Sequence, residues 1–171
     1  MPGSAEPTPA AADGSAEIIR AAGVTRRFGS LTAVSDVSFN VSAGDIVGLA
    51  GSDGAGKTTL LRMLATMLAP NSGTIRVGGL DVVRERSGVK EMIGYMPQRF
   101  GLYQDLTVAE NLDFFMDIYG ITGEERRRRR ERYLGFSNLL PFVDRKAADL
   151  SGGMKQKLGL ACVLVHEPRI L

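Results

Sequence analysis

The stretch from Gly51 to Thr58 reads GSDGAGKT and decides the fold of this chain. It fits the pattern G-x-x-x-x-G-K-[ST] without a mismatch. DIVGLA, residues 45–50, predicts a short buried strand before it, and TTLLRMLATML, residues 58–68, predicts a helix after it. A strand, a glycine loop and a helix in this order are what a phosphate-binding loop requires. The alternative is a glycine-rich turn that carries a lysine by chance.

The chemistry of this loop suits a triphosphate. Gly51, Gly54 and Gly56 have no Cβ, so successive backbone N–H groups can surround an anion at the positive end of the following helix. Lys57 supplies a mobile cation for the β- and γ-phosphates, and the Thr58 hydroxyl is placed to bind Mg²⁺.

The candidate phosphate site also includes the other residues of the loop, which are Ser52, Asp53, Ala55 and Thr59. Asp53 puts a carboxylate inside the loop, and this carboxylate must point away from the phosphates because it would otherwise repel them. Thr59 is expected only to pack or to cap the helix.

Composition sets the class of protein. The chain has 171 residues, 44% hydrophobic and 23% charged, which predicts one soluble domain with a sizeable core. A net charge of +2 is too small to indicate nucleic acid as a partner. The single cysteine, Cys162, excludes an internal disulfide, and its apolar surroundings predict a buried structural thiol. No run reaches the roughly 18 apolar residues of a membrane span, because Arg62 interrupts the best candidate.

The N-terminal part predicts a tail followed by strands. Residues 1–17 are rich in proline and small residues, which is typical of a disordered tail and not of a signal peptide. Order is expected from about Ile18. Apolar and polar residues alternate over residues 37–42, which predicts a half-exposed strand. Phe28, taken alone, indicates only core or edge packing.

The middle of the chain predicts further strands. Thr74 to Val77 forms one, and the apolar run Ile93 to Met96 forms another. Gln98 follows the second strand at the edge where parallel sheets bind nucleotides. Met63 and Met67 lie on the apolar face of the loop helix and are predicted to be core residues.

Two capping boxes predict two helices. Thr107 and Glu110 open a helix over residues 107–119 with apolar residues at helical spacing. Thr122 and Glu125 open a second helix that runs to about residue 134. Because these helices interrupt an alternating pattern, they predict an inserted helical subdomain.

That subdomain is expected over about residues 102–150 and carries five consecutive arginines, Arg126 to Arg130. Consecutive residues go right round a helix, so they cannot form one recognition face. Neighbouring glutamates favour a solvated helix. An acidic partner or membrane headgroups are the alternative.

LSGGMKQ, residues 150–156, predicts a second anion site. Ser151 can cap a helix that continues to about Val165. Gly152 and Gly153 leave the first N–H groups bare, so the helix N-terminus could hold a phosphate. Alone this stretch would indicate a plain N-cap, but paired with GSDGAGKT it is far more specific.

With both motifs placed, residues 18–171 resemble the nucleotide-binding domain of an ATP-binding cassette (ABC) transporter. GSDGAGKT resembles the Walker A motif, LSGGMKQ the signature and YMPQ the Q-loop. RRFG resembles the stretch whose aromatic residue stacks on adenine, which gives Phe28 a role. By the same resemblance, Gln98 would touch Mg²⁺ or the attacking water. The sequence departs from the family at Met154, where Gln is common, and at Asp53, where Asn is common.

The resemblance implies an α/β P-loop NTPase with an antiparallel β edge from the N-terminal strands and an inserted helical subdomain. It implies an ATP-binding subunit that uses ATP and Mg²⁺ at the cytoplasmic face of a membrane and drives transport through a transmembrane permease. It also implies a dimer, in which Ser151 to Gly153 close over the ATP of a second nucleotide-binding domain. QRFGLYQDLTVAENL, residues 98–112, resembles exporters of the multidrug or antibiotic-resistance type.

The family continues with a strand that ends in Asp and the catalytic Glu, then a D-loop and a switch His. Residues 168–171 resemble only the first part of that strand. His166 precedes the strand and is expected at a helix-end surface, and Glu167 precedes it too, so neither fills a catalytic role. We therefore expect these 171 residues alone to bind ATP weakly and not to turn it over.

Two other classes stay open. One is a soluble ABC protein of DNA repair or translation. Repair types insert a long coiled coil between Q-loop and signature, whereas Gln98 and Ser151 are only 53 positions apart, and translation types need two cassettes in one chain. The other is a non-catalytic ATP-binding module.

Overall fold

The structure is a computed structural model that describes residues 17–98 and 101–171. The described chain divides into two compact units, one ending at Glu85 and the other spanning Arg86–Leu171. The disordered tail predicted for residues 1–17 lies outside the described residues, except that Glu17 begins the first strand. The boundaries of about 102–150 for a helical subdomain stay a prediction.

The first unit contains a four-stranded antiparallel sheet with the strand order β2-β1-β3-β4. Its strands are β1 (Glu17–Phe28), β2 (Leu31–Ser42), β3 (Ser72–Val77) and β4 (Leu80–Asp81). Apolar side chains on one face, such as Val24, Val34 and Ile75, are buried, while polar neighbours face solvent. The predicted antiparallel edge is confirmed.

The strand predicted over residues 45–50 is wrong for this structure. The segment is irregular and exposed, and the side chain of Ile46 is completely accessible. An extended segment becomes a strand only when a neighbour accepts and donates its backbone hydrogen bonds. No described strand pairs with residues 45–50. The apolar composition of residues 45–50 was therefore not enough to make this segment a strand.

Helix α1 (Lys57–Leu64) is shorter than predicted. Thr66 adopts a left-handed conformation with φ 61°, and the N–H of Met67 then donates to the carbonyl of Arg62 at 2.9 Å, which closes the helix end. Met63 is fully buried as predicted. Met67 is 61% exposed, so the prediction that it belongs to the core is wrong, because the helix ends before reaching it.

The second unit is helical. Its helices are α2 (Arg86–Met92), α3 (Val108–Ile118), α4 (Gly123–Phe136) and α5 (Gly152–Leu164), with 3-10 turns at Leu140–Phe142 and Ala147–Asp149. Its core joins α3, α4 and α5 through fully buried side chains that include Leu112, Met116, Leu134 and Leu158. The predicted strand at residues 93–96 is reduced to one parallel bridge between Ile93 and Ile170.

One predicted capping box forms and the other does not. At α3 the Thr107 hydroxyl accepts from the Glu110 N–H, and the Glu110 carboxylate accepts from the Thr107 N–H, which lowers the pKa of Glu110. At α4 the Thr122 side chain makes no capping bond. Glu125 instead accepts from Arg128 and Arg129, which lower its pKa to about 2. The prediction of a capping box at the start of α4 is therefore wrong.

The arginines of α4 are largely paired within the protein. Arg126 and Arg130 both bind Asp113 of α3. Arg129, only 17% exposed, donates to the Val165 carbonyl at the end of α5, where a cation is favourable. A solvated helix is therefore the wrong interpretation for these three residues, because α3 and the end of α5 present acceptors to two sides of α4.

Cys162 should resist thiol reagents in the native protein. Its side chain is fully buried, and burial raises the pKa of the thiol to about 12, so almost no thiolate is present at neutral pH. We expect labelling by Ellman's reagent to be slow without denaturant and fast in concentrated urea. Equal rates in both conditions would contradict the packing of α5.

Candidate nucleotide-binding site

The glycine loop is exposed and leads directly into α1. Gly56 is the N-cap residue with φ 85°, and a Cβ at this position would lie 2.0 Å from the carbonyl oxygen of Ala33 in β2. Gly54 has a similar φ of 80°, but a Cβ there would meet nothing within 4 Å. Gly56 therefore brings the start of α1 against β2, whereas Gly54 shapes only the open part of the loop.

Lys57 folds back over this loop. Its Nζ donates to the carbonyl oxygens of Gly51 at 2.7 Å and Ser52 at 2.8 Å. The ammonium group thus lies against the backbone of the loop. The first turn of a helix leaves backbone N–H groups without partners inside the helix, so α1 adds donors at the same place. A cation and free N–H groups together fit a polyphosphate anion.

The remaining loop residues differ in exposure. Thr58 is exposed beside Lys57, so its hydroxyl is accessible to a metal ion, while Thr59 is half-buried. Asp53 is exposed, which keeps its carboxylate hydrated. Ala55 donates its N–H to the Ser52 carbonyl at 3.2 Å and so closes the turn.

A cavity of about 390 Å³ opens beside the loop. Its walls include Val34 and Val37 of β2, Leu49 and Ala50 before the loop, and Lys57 of α1. The cavity is mostly apolar with one cationic side chain. It can accept a ligand that has an apolar part and an anionic part.

Phe28 ends β1 and is 45% exposed. The guanidinium carbon of Arg26 lies 4.7 Å from the centre of the Phe28 ring. Sequence reasoning missed Arg26. Residues two positions apart on a regular strand have their side chains on the same face, so the spacing of Arg26 and Phe28 is the signal that could have found Arg26.

The second predicted anion site belongs to the helical unit. Ser151 caps α5, and its Oγ accepts from the Met154 N–H at 3.3 Å, so the predicted N-cap is confirmed. Gly152 and Gly153 are exposed, with open space where a side chain would be. Gln98 is also exposed. All four residues are accessible, and their roles stay predictions.

His166 is not a simple surface residue. Its ring stacks on Tyr119 at 4.2 Å between centroids, its Nε2 lies 3.1 Å from the Ile93 carbonyl oxygen, and burial lowers its pKa. The interpretation as helix-end surface is therefore wrong, because the ends of α3 and α5 meet around it. Glu167 pairs with Arg129 and Arg132, which agrees with a structural role.

None of the helices within residues 17–98 and 101–171 has the length and apolar character to cross a membrane. In the same part of the chain no group of three or more His, Cys, Asp or Glu side chains could hold a metal ion.

The sheet, the glycine loop and the lysine at the start of α1 define a P-loop protein. Comparison with known families shows to which family of P-loop proteins the chain belongs. The profile of the ABC transporter family matches residues 34–171, and this chain belongs to that family.

Relatives and solved structures agree. The chain is 49% identical over 156 residues to the probable multidrug ABC transporter ATP-binding protein YbhF of Escherichia coli, covering 90% of this chain and 27% of that protein. It is 39% identical over 140 residues to the ABC transporter ATP-binding protein NatA of Bacillus subtilis, covering 81% of this chain and 57% of that protein. Thus the chain spans between a quarter and a little over half of these relatives.

Two solved structures share the fold. The ATP-binding subunit of an ABC transporter superposes with a TM-score of 0.79 at 28% identity, covering 88% of this chain and 63% of that chain. An ATP-binding cassette of an ABC transporter in its ADP conformation superposes with a TM-score of 0.74 at 25% identity, covering 90% and 66%. The predicted fold class, an α/β P-loop NTPase of the ABC type, is confirmed.

Proposed function

We propose that this chain is the ATP-binding part of an ABC transporter. It would couple ATP binding and hydrolysis to the transport of a substrate through a separate transmembrane partner. The observation that carries the proposal is the Lys57 ammonium group, held by two loop carbonyls at the N-terminus of α1. The names of the relatives, which are ATP-binding proteins of ABC transporters, support it.

Each site residue has one proposed task. Lys57 and the N–H groups of the loop bind the phosphates, and the Thr58 hydroxyl binds Mg²⁺. Gln98 is assigned contact with Mg²⁺ or the attacking water by the family resemblance alone. Phe28 stacks on adenine. Ser151 to Gly153 bind the ATP held by a second nucleotide-binding domain. When bound, ATP supplies the γ-phosphoryl group that is transferred to water.

The proposed setting is the cytoplasmic face of a membrane, where the chain would bind a permease subunit and a second copy or a related domain. Export is the proposed direction. YbhF is named a probable multidrug transporter protein, and a relative from Bacillus subtilis that is 34% identical is named linearmycin resistance ATP-binding protein LnrL. A soluble ABC ATPase is the alternative.

The test of the proposal is a titration of the purified chain with a fluorescent ATP analogue, in Mg²⁺ and in EDTA. We expect saturable binding that is tighter with Mg²⁺, because the metal neutralises phosphate charge next to the Thr58 hydroxyl. A folded chain that shows no saturable binding would contradict the proposal. Co-purification with a permease subunit, rather than with ribosomes or DNA, would separate transport from the soluble alternative.

Phe28→Ala should weaken nucleotide binding by about 1–3 kcal/mol, as expected for the loss of a base from an aromatic platform. Phe28→Tyr should change little because it keeps the ring. Stacking is tolerant of base identity, so GTP should bind nearly as well as ATP. Competition between ATP or GTP and the fluorescent analogue measures all three effects. Unchanged affinity in Phe28→Ala would mean that Phe28 serves only packing.

A further inference from the structure

Arg26 lies against the side chain that is proposed to stack on the base. Its guanidinium carbon is 4.7 Å from the centre of the Phe28 ring, which is within the range of a cation–π contact. Its Nη1 donates to the carbonyl oxygen of Ala69 at 2.9 Å, which comes from a segment 43 positions away. The guanidinium is therefore fixed from a second direction and does not depend on the ring alone.

The Nε of Arg26 is buried and has no hydrogen-bond partner among the described residues. A buried donor without an acceptor costs free energy, so side chains normally avoid this state. The negative face of the Phe28 ring offers partial compensation, because it attracts the cation. Arg26 thus leaves its Nε–H without an acceptor, in an arrangement that brings the guanidinium charge to the ring.

We infer that Arg26 is a positioning residue for base stacking, an inference that rests on the proposed nucleotide-binding function. The guanidinium covers one face of the Phe28 ring and fixes the orientation of the ring. The other face is then left for the purine of a nucleoside triphosphate, and 45% of the Phe28 side chain is exposed to receive it. The charge also draws π electrons away from that second face, which favours stacking with an electron-rich purine.

A purely structural role predicts something different. If Arg26 only tied β1 to the Ala69 carbonyl, its loss would loosen the first unit, and the phosphate loop would suffer together with the base platform. A positioning role affects only ligands that have a base. Inorganic tripolyphosphate, which carries the phosphates without a base, distinguishes the structural role from the positioning role.

The experiment uses Phe28→Trp as a reporter, since the chain contains no other tryptophan and indole is the best ring for a cation–π contact. Arg26→Met, Arg26→Lys and Arg27→Met are made in this background. Arg27 is the matched control, because it is exposed and lies on the same strand. ATP binding is followed by quenching of the tryptophan, and tripolyphosphate binding by calorimetry.

We expect Arg26→Met to weaken ATP binding about threefold to tenfold, with tripolyphosphate binding unchanged. Arg26→Lys should recover part of the loss because it keeps a cation, and Arg27→Met should match the parent. The anisotropy of the tryptophan without ligand should fall in Arg26→Met, since the ring is no longer held. In a Phe28→Ala background, which has no tryptophan and is followed with the fluorescent ATP analogue, Arg26→Met should have no further effect on ATP.

Three results would overturn the inference. They are equal ATP affinity in Arg26→Met and Arg27→Met, an equal loss of ATP and tripolyphosphate binding in Arg26→Met, and an undiminished effect of Arg26→Met in the Phe28→Ala background. Failure of the proposed function looks different, because then the parent itself would not bind ATP or would bind it independently of Lys57.

Discussion

Lys57→Ala should weaken ATP binding about tenfold to a hundredfold. The lysine places its ammonium group 2.7–2.8 Å from two loop carbonyls, where it can reach the β- and γ-phosphates. A charge-assisted hydrogen bond of this kind contributes about 1.5–3 kcal/mol, which corresponds to the stated loss. Titration of the fluorescent ATP analogue into both proteins measures the effect.

Lys90→Ala is the matched control, because Lys90 is an exposed lysine on α2 and lies outside the loop sequence. This variant should bind ATP like the parent. Since Lys57 is partly accessible and its neighbours are backbone carbonyls, its removal should leave the fold intact, which circular dichroism can verify. Equal affinities in folded Lys57→Ala and the parent would refute the assignment of the phosphate site.

Gly56→Ala should be far more destabilising than Gly54→Ala. Both residues have a left-handed φ near 80°, which costs an alanine about 1–2 kcal/mol. Only at Gly56 does the added Cβ also approach the Ala33 carbonyl oxygen to 2.0 Å, and neither backbone segment can yield without separating α1 from β2. The free energy of unfolding should therefore fall by at least about 3 kcal/mol in Gly56→Ala.

Urea denaturation of the three proteins tests this difference. Gly54→Ala carries the conformational cost alone, so the gap between the two variants isolates the contact with β2. Gly56→Ala should also lose ATP binding, because the first turn of α1 can no longer lie against the sheet. Equal unfolding midpoints for the two variants would mean that the loop does not approach β2 as closely as the structure has it.

The sequence alone determined the features that consecutive residues encode. The glycine spacing and Lys57 predicted the phosphate loop, and the reciprocal bonds of Thr107 and Glu110 and the Ser151 cap formed as predicted. The two caps depend on hydrogen bonds between residues three positions apart, and Lys57 bonds to loop carbonyls five and six positions away. A strand's period of two likewise predicted the half-exposed β2. For such features the local chain contains both partners.

Only the tertiary structure decided the features whose partners are distant in sequence. Residues 45–50 have a strand's composition but no described strand beside them, so they are irregular. The sequence favoured a solvated Arg129, but its guanidinium donates to the Val165 carbonyl at the end of α5, 36 positions away. The role inferred for Arg26 depends on its contacts with the Ala69 carbonyl and with the Phe28 ring. In each case the free energy of a side chain or strand depends on a neighbour that folding supplies and that local sequence patterns do not reveal.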